Sequence, residues 1–192
     1  MMDIVIASNN KNKLREFRQM LKNNFDNIYS LSDLNIDIDV EETADTFEGN
    51  ALLKAKAVGE IAHMTALSDD SGLIVDALNG EPGVYSARYS GENSTDEKNN
   101  EKLLKNMQGV ENRSARFVSA IVLYYPNGKY LTTYGTVEGK ILEKPDGDGG
   151  FGYDPLFFCN ELNKSFGIAT AEEKNSLSHR ARALENLLKE LK

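Results

Sequence analysis

The chain opens on a unit that constrains everything after it. Asp3-Ile4-Val5-Ile6-Ala7 is a short apolar run that reads as a buried strand. The polar stretch Ser8-Asn9-Asn10-Lys11-Asn12-Lys13 interrupts it, and Leu14, Phe17, Met20 and Leu21 follow at helical spacing. A strand that passes through a polar loop into an amphipathic helix calls for a sheet on which that helix can lie.

The same alternation continues. Residues 31–42 are acidic, with a weak strand expected over 36–40. Asp45 and Glu48 have the spacing of a capping box, and the helix they would open carries Phe47, Ala51, Ala55, Val58 and Ala62 on one stripe. Residues 66–68 read as a strand leading to Asp69 and Asp70. Gly80-Glu81-Pro82-Gly83 is a turn. Ser94 and Glu97 frame a second capping box, ahead of a helix with Leu103, Leu104 and Met107. Residues 115–125 and 130–137 form a hairpin about Pro126-Asn127-Gly128-Lys129, with further strands over 139–143 and 155–159. Leu177, Ala181, Leu184, Leu188 and Leu191 mark a C-terminal amphipathic helix. The expectation is an α/β fold with a mixed twisted sheet and flanking helices, as one domain over 1–192 with two lobes.

Composition removes several function classes. The net charge of −8 argues against a nucleic-acid binder, which needs a basic footprint, but leaves a nucleotide substrate open. With only His63 and His179, a three-histidine zinc site cannot form within one chain. The single cysteine, Cys159, makes no internal disulfide and fits a reducing cytosol, so a cytoplasmic location is expected. No apolar run is long enough for a bilayer, and no secretory signal is expected at the N-terminus.

Five stretches carry chemistry. Asp69 and Asp70 end an apolar segment, where adjacent carboxylates call for a cation or a proton, and Mg²⁺ takes such oxygen ligands. The plain alternative is an acidic turn. Ser8 to Lys13 places donors before a helix N-terminus, suited to a polyphosphate, although the Walker glycines are missing. Glu41 or Glu42 can complete a metal site with Asp70, whereas Asp45 and Glu48 read as helix caps. Phe151-Gly152-Tyr153-Asp154 offers two aromatics to flank a planar ring and a carboxylate for a base edge, or else a turn anchored by core aromatics. Lys174, His179 and Arg180 gather donors near a helix start, suited to a phosphate or a purine carbonyl. His63 reads as a helix–strand connection.

In their order along the chain, these blocks resemble the inosine triphosphate pyrophosphatase family. The resemblance runs nearly end to end and includes Thr46-Phe47-Glu48-Gly49-Asn50-Ala51, Ser68 to Leu73 and Pro82-Gly83-Val84-Tyr85-Ser86-Ala87-Arg88. It implies hydrolysis of ITP, dITP or XTP to the monophosphate and pyrophosphate by a Mg²⁺-dependent homodimer with substrate in a central cleft. It also implies roles. Asp70 is the general base and a metal ligand, and Glu41 helps hold Mg²⁺. The Ser8–Lys13 stretch (Ser8, Asn9, Asn10, Lys11, Asn12, Lys13) takes the triphosphate, and Ser71 touches substrate. Phe151, Gly152, Tyr153 and Asp154 form the base pocket, and Lys174, His179 and Arg180 read the purine. Two departures stand out: Ser8 where many relatives have Thr, and Phe166-Gly167-Ile168 where a more polar stretch is usual. The alternatives are a nucleotide-binding regulator without turnover and a same-fold pyrophosphatase for other modified nucleotides. An aspartyl phosphatase lacks its D-x-D run here, and a serine hydrolase lacks its G-x-S-x-G elbow.

Overall fold

The computed structural model describes residues 2–192. Its elements are β1 (Ile4–Ile6), α1 (Lys11–Leu21), β2 (Ile28–Tyr29), α2 (Phe47–Ala62), β3 (Thr65–Val75), α3 (Asp96–Asn106), β4 (Ser114–Tyr124), β5 (Tyr130–Ile141), β6 (Phe157–Cys159), β7 (Lys164–Ser165), α4 (Ala171–Leu177) and α5 (His179–Glu190). The strands make one sheet in the order β2-β1-β3-β4-β5-β6-β7. β1 is parallel to β2 and β3, whereas β6 is antiparallel to β5 and β7, so the sheet is mixed, as the α/β reading requires. No helix among the described residues is long and apolar enough to cross a membrane.

The chain divides into two compact units. One holds the residues through Asp70, with 119–134 and 183–192; the other holds 71–118 and 135–182. In the first unit the sheet is covered on both faces, which is why β1 is apolar without interruption. Ile4 and Ile6 pack with Phe17, Leu21, Leu67, Ile121 and, from α5, Ala183, Leu184 and Leu187. Val5 points the other way, onto Val58 of α2, Leu31 and Ala66.

The second unit is built on Leu73, Val75, Leu103, Met107, Phe117, Val137, Phe157 and Phe166. Its aromatic rings meet tilted, with centroids 4.7 Å apart for Phe117 and Phe157 and 5.2 Å for Phe157 and Phe166. Gly139 lets β6 approach β5. A Cβ there would lie 2.3 Å from the Phe158 carbonyl oxygen and 2.5 Å from the Phe157 ring. Gly139→Ala is therefore expected to cost about 1–3 kcal/mol, read as a lower urea midpoint.

Several elements differ from expectation. Residues 36–40 form no strand, because the Ile38 carbonyl accepts from the Asn9 side chain at 3.0 Å and joins no ladder. β2 takes the edge position instead. Neither expected capping box forms, and each helix is capped one residue later. Thr46 and Thr95 are the caps, each extended at φ −129°, a backbone that suits a β-branched side chain. Their hydroxyls accept from Gly49 N–H at 3.1 Å and Lys98 N–H at 3.3 Å. Asp45 is thus not the cap, and Glu48 accepts from the Tyr134 hydroxyl. Residues 130–141 are one strand rather than two. Pro155 lies in a 3₁₀ turn, Asp154–Leu156, that precedes β6. The C-terminal helix breaks at Ser178, whose extended backbone leaves Leu177 in α4.

Candidate active-site residues

The Asp pair lies within β3, not on a turn at its end. Both side chains are buried, at 1% exposure for Asp69 and 5% for Asp70. What permits this is the pleat, which sends successive side chains to opposite faces. Asp69 follows Leu67 to the face of α1, where its Oδ1 lies 3.2 Å from Lys13 Nζ. Asp70 follows Ala66 to the face of α2, where its Oδ2 accepts from Asn50 Nδ2 at 3.2 Å and its Oδ1 lies 3.6 Å from Lys54 Nζ. Each carboxylate thus lies beside an ammonium of its own face.

Lys54 reaches further, to Glu42 Oε1 at 2.6 Å. Asn50 accepts from the Ala44 N–H at 2.9 Å and so ties the acidic segment to α2. Burial pulls the Lys54 ammonium down, but Asp70, Glu42 and Asp69 together hold it above its ordinary value. Burial pushes the Asp70 carboxyl up, with Lys54 opposing and Glu42 adding to the rise. Glu42 is the acid in this network, whereas the expected Glu41 is exposed. Among the described residues, no three His, Cys, Asp or Glu side chains gather as a metal-binding group.

The polar stretch after β1 is shorter than expected, because α1 begins at Lys11. Asn10 caps it, accepting from the N–H groups of Asn12 at 2.9 Å and Lys13 at 3.1 Å, and the Ser8 hydroxyl accepts from Asn10 N–H at 3.2 Å. Two N–H groups expected to be open are therefore already satisfied. Asn9 is bound to Ile38, and Lys11 is exposed. Lys13 is the residue of this stretch tied to the Asp pair.

In the second unit, Phe151, Asp154 and Lys174 converge. Lys174 Nζ donates to Asp154 Oδ2 at 2.6 Å and lies 4.5 Å from the Phe151 ring centroid. The same carboxylate oxygen accepts from Phe151 N–H at 2.8 Å. Gly150 must be glycine here: its φ is +74°, and a Cβ would sit 2.1 Å from that oxygen. Tyr153 departs from expectation. It is buried in the core, its hydroxyl donates to the Ser86 carbonyl at 2.7 Å, and burial pushes its pKa up. It anchors the turn from below, so of the two aromatics only Phe151 has a ring outside the core. Gly152 donates its N–H to Asp96 Oδ2 at 2.7 Å and accepts from Asn100 Nδ2 at 2.9 Å.

His179 and Arg180 open α5. The His179 ring stacks on Phe117 at 4.9 Å, and Arg180, only 1% exposed, donates to Ser71 Oγ at 3.0 Å. Sequence reasoning missed Lys54, Asn50, Asp96 and Asn100. For the first two a signal exists, because positions 47, 50, 51, 54, 55 and 58 share one helical stripe. An amide and an ammonium inside an apolar stripe mark a polar task.

Known proteins resemble this chain along nearly its whole length. The model of the Ham1 family matches residues 4–190. A Staphylococcus epidermidis protein named dITP/XTP pyrophosphatase is 50% identical, covering 99% of this chain and 96% of the relative. One of the same name from Clostridium perfringens is 47% identical over 100% and 98%. The solved Ham1 protein of Staphylococcus aureus superposes with a TM-score of 0.88 at 44% identity, covering 98% of this chain and 97% of that one. The HAM1 protein of Coxiella burnetii gives 0.89 at 38%, covering 100% and 98%. With family model, sequence relatives and solved structures all covering both units, the chain belongs to the Ham1 family.

Proposed function

We propose that this chain is a hydrolase of nucleotide metabolism that cleaves dITP, ITP and XTP to the monophosphate and pyrophosphate. The observation that carries the reading is Asp70, a buried carboxylate set by Asn50 and Lys54 beside a second lysine-held acid. The relatives' shared name, dITP/XTP pyrophosphatase, supports the substrate class.

In this reading, water attacks the α-phosphorus while the bond from that phosphorus to the bridging oxygen breaks and pyrophosphate leaves. The Asp70 carboxylate takes the water's proton and releases it to solvent. Lys13 and Lys54 face the negative charge of the phosphates, and Ser8, Asn10 and the start of α1 orient the tail. The donor set fits a hard divalent cation: Asp70 and a carboxylate of the Glu41–Glu42 pair offer oxygens, and Mg²⁺ is ordinarily held by one or two carboxylates plus substrate phosphates. When bound, it would supply charge compensation at the phosphates. Phe151 stacks on the base, while Asp154, Lys174 and Arg180 address its edge. Donors aimed at a 6-keto oxygen are left unpaired against a 6-amino group, so ATP is rejected.

The test is pyrophosphate release from ITP, dITP, XTP, GTP and ATP with and without Mg²⁺. Preferential release from ITP, dITP and XTP over ATP is expected. Equal turnover of ITP and ATP would remove the selectivity claim, and ITP binding without release would make the chain a regulator. A cytoplasmic location, resting on the lone Cys159, and a homodimer, resting on the family resemblance, are part of the same proposal. Light scattering tests the dimer.

A further inference from the structure

We infer that Asp96 and Asn100 of α3 are positioning residues that hold the base-reading turn by gripping both ends of Gly152. This deepens the function proposed above and rests on it.

Residues four apart on a helix project from one face. Asp96 and Asn100 have that spacing, and both reach one glycine. Asp96 Oδ2 takes its N–H at 2.7 Å, and Asn100 Nδ2 gives a hydrogen bond to its carbonyl at 2.9 Å. Gly152 itself needs the grip. Its φ is +62°, and nothing lies within 4 Å of where a Cβ would point, so no packing fixes it from that side. Its neighbours are Phe151, whose N–H and ring are committed to Asp154 and Lys174, and Tyr153, whose hydroxyl is committed to Ser86. A rotation of the Gly152 peptide would therefore move the Phe151 ring away from the Asp154–Lys174 pair.

Asn100 carries a second sign of this task. Its Oδ1 is buried without a hydrogen-bond partner, although buried polar atoms are ordinarily paired. The amide is thus half-satisfied, and the half that is used is the donor to Gly152. α3 is fastened independently of the clamp: Asn99 Nδ2 donates to the Ala87 carbonyl, Lys102 Nζ to that of Tyr89 and Asn106 Nδ2 to the Tyr89 hydroxyl. The helix is therefore a fixed frame from which two side chains hold a turn that has little of its own.

Three variants test this: Asn100→Ala, Asp96→Ala and Asp96→Asn, the last retaining an acceptor for the Gly152 N–H. For the two alanine variants, KM for ITP is expected to rise about tenfold and the preference for ITP over ATP to fall about tenfold, with kcat changed less than about twofold. Asp96→Asn is expected to recover most of the loss. Hydrogen exchange of residues 149–154 is expected to be slow in the wild type and fast in the alanine variants. Fast wild-type exchange at Gly152 overturns the inference without any variant. Unchanged KM and preference in a folded Asn100→Ala also overturn it, as does a fall confined to kcat. If the wild type released no pyrophosphate from ITP, the proposed function would fail first, and exchange together with calorimetric ITP binding would still decide the clamp.

Discussion

Asp70→Asn is expected to lower kcat for ITP by about 10²–10⁴-fold while making the ligand-free protein harder to melt. The two effects share one cause. Burial pushes the Asp70 carboxyl above its ordinary range, with Lys54 only partly opposing, so folding favours the protonated, neutral form. The sign follows from linkage: an acid whose pKa is raised by folding lowers stability as pH climbs through its unfolded value to its folded one, and the penalty is complete above both. Asparagine copies the neutral form, so its advantage should be present at neutral pH and vanish in acid below the unfolded value. For a chain of this size, each kcal/mol gained should raise Tm by about 2–4 °C. Calorimetry across pH, with pyrophosphate release on the same samples, reads both. A variant that is slower and also less stable at neutral pH would mean that Lys54 and Asn50 outweigh desolvation.

Lys174→Ala is expected to have the largest stability cost. Lys174 and Asp154 form an ion pair whose side chains are 6% and 3% exposed, 2.6 Å apart. Removing the ammonium leaves a carboxylate in the core edge, with Phe151 N–H still bound to it. Breaking a buried pair from one side costs about 3–5 kcal/mol, hence about 6–20 °C in Tm. The Lys174→Met, Asp154→Asn double variant should recover much of that loss, since neither charge is then stranded, yet should bind ITP poorly. Scanning calorimetry and ITP titration separate the outcomes. A Tm within about 2 °C of wild type for Lys174→Ala would show that water screens the pair.

Periodic elements were legible because their partners hardly matter. β1, α1, α2 and the β4–β5 hairpin announce themselves by apolar spacing. β2 and β7 have two residues each, too few for any period, and exist because a neighbouring strand offers a ladder. The cap positions were misread by one residue, because Asp45 and Thr46 are both good caps and only the backbone decides between them. The Asp pair was found but misplaced. Tandem acids look like a turn until Lys13 on one face and Asn50 with Lys54 on the other are brought to them, and that happens only in three dimensions. Glu41 and Glu42 are alike as letters, and that Lys54 pairs with the second is visible only in the fold. Tyr153 looked like a stacking ring because nothing in its neighbourhood names Ser86 as the acceptor of its hydroxyl.

Neither compact unit is a contiguous stretch of chain, and synthesis on a ribosome must respect that. The unit bearing Asp70 draws on residues 119–134 and 183–192, and Ala183, Leu184 and Leu187 close the apolar layer over Ile4, Phe17 and Leu67. A nascent polypeptide halted before residue 183 would expose that layer to solvent. The carboxylate assigned to the chemistry would therefore gain its finished surroundings only after α5 had emerged from the exit tunnel.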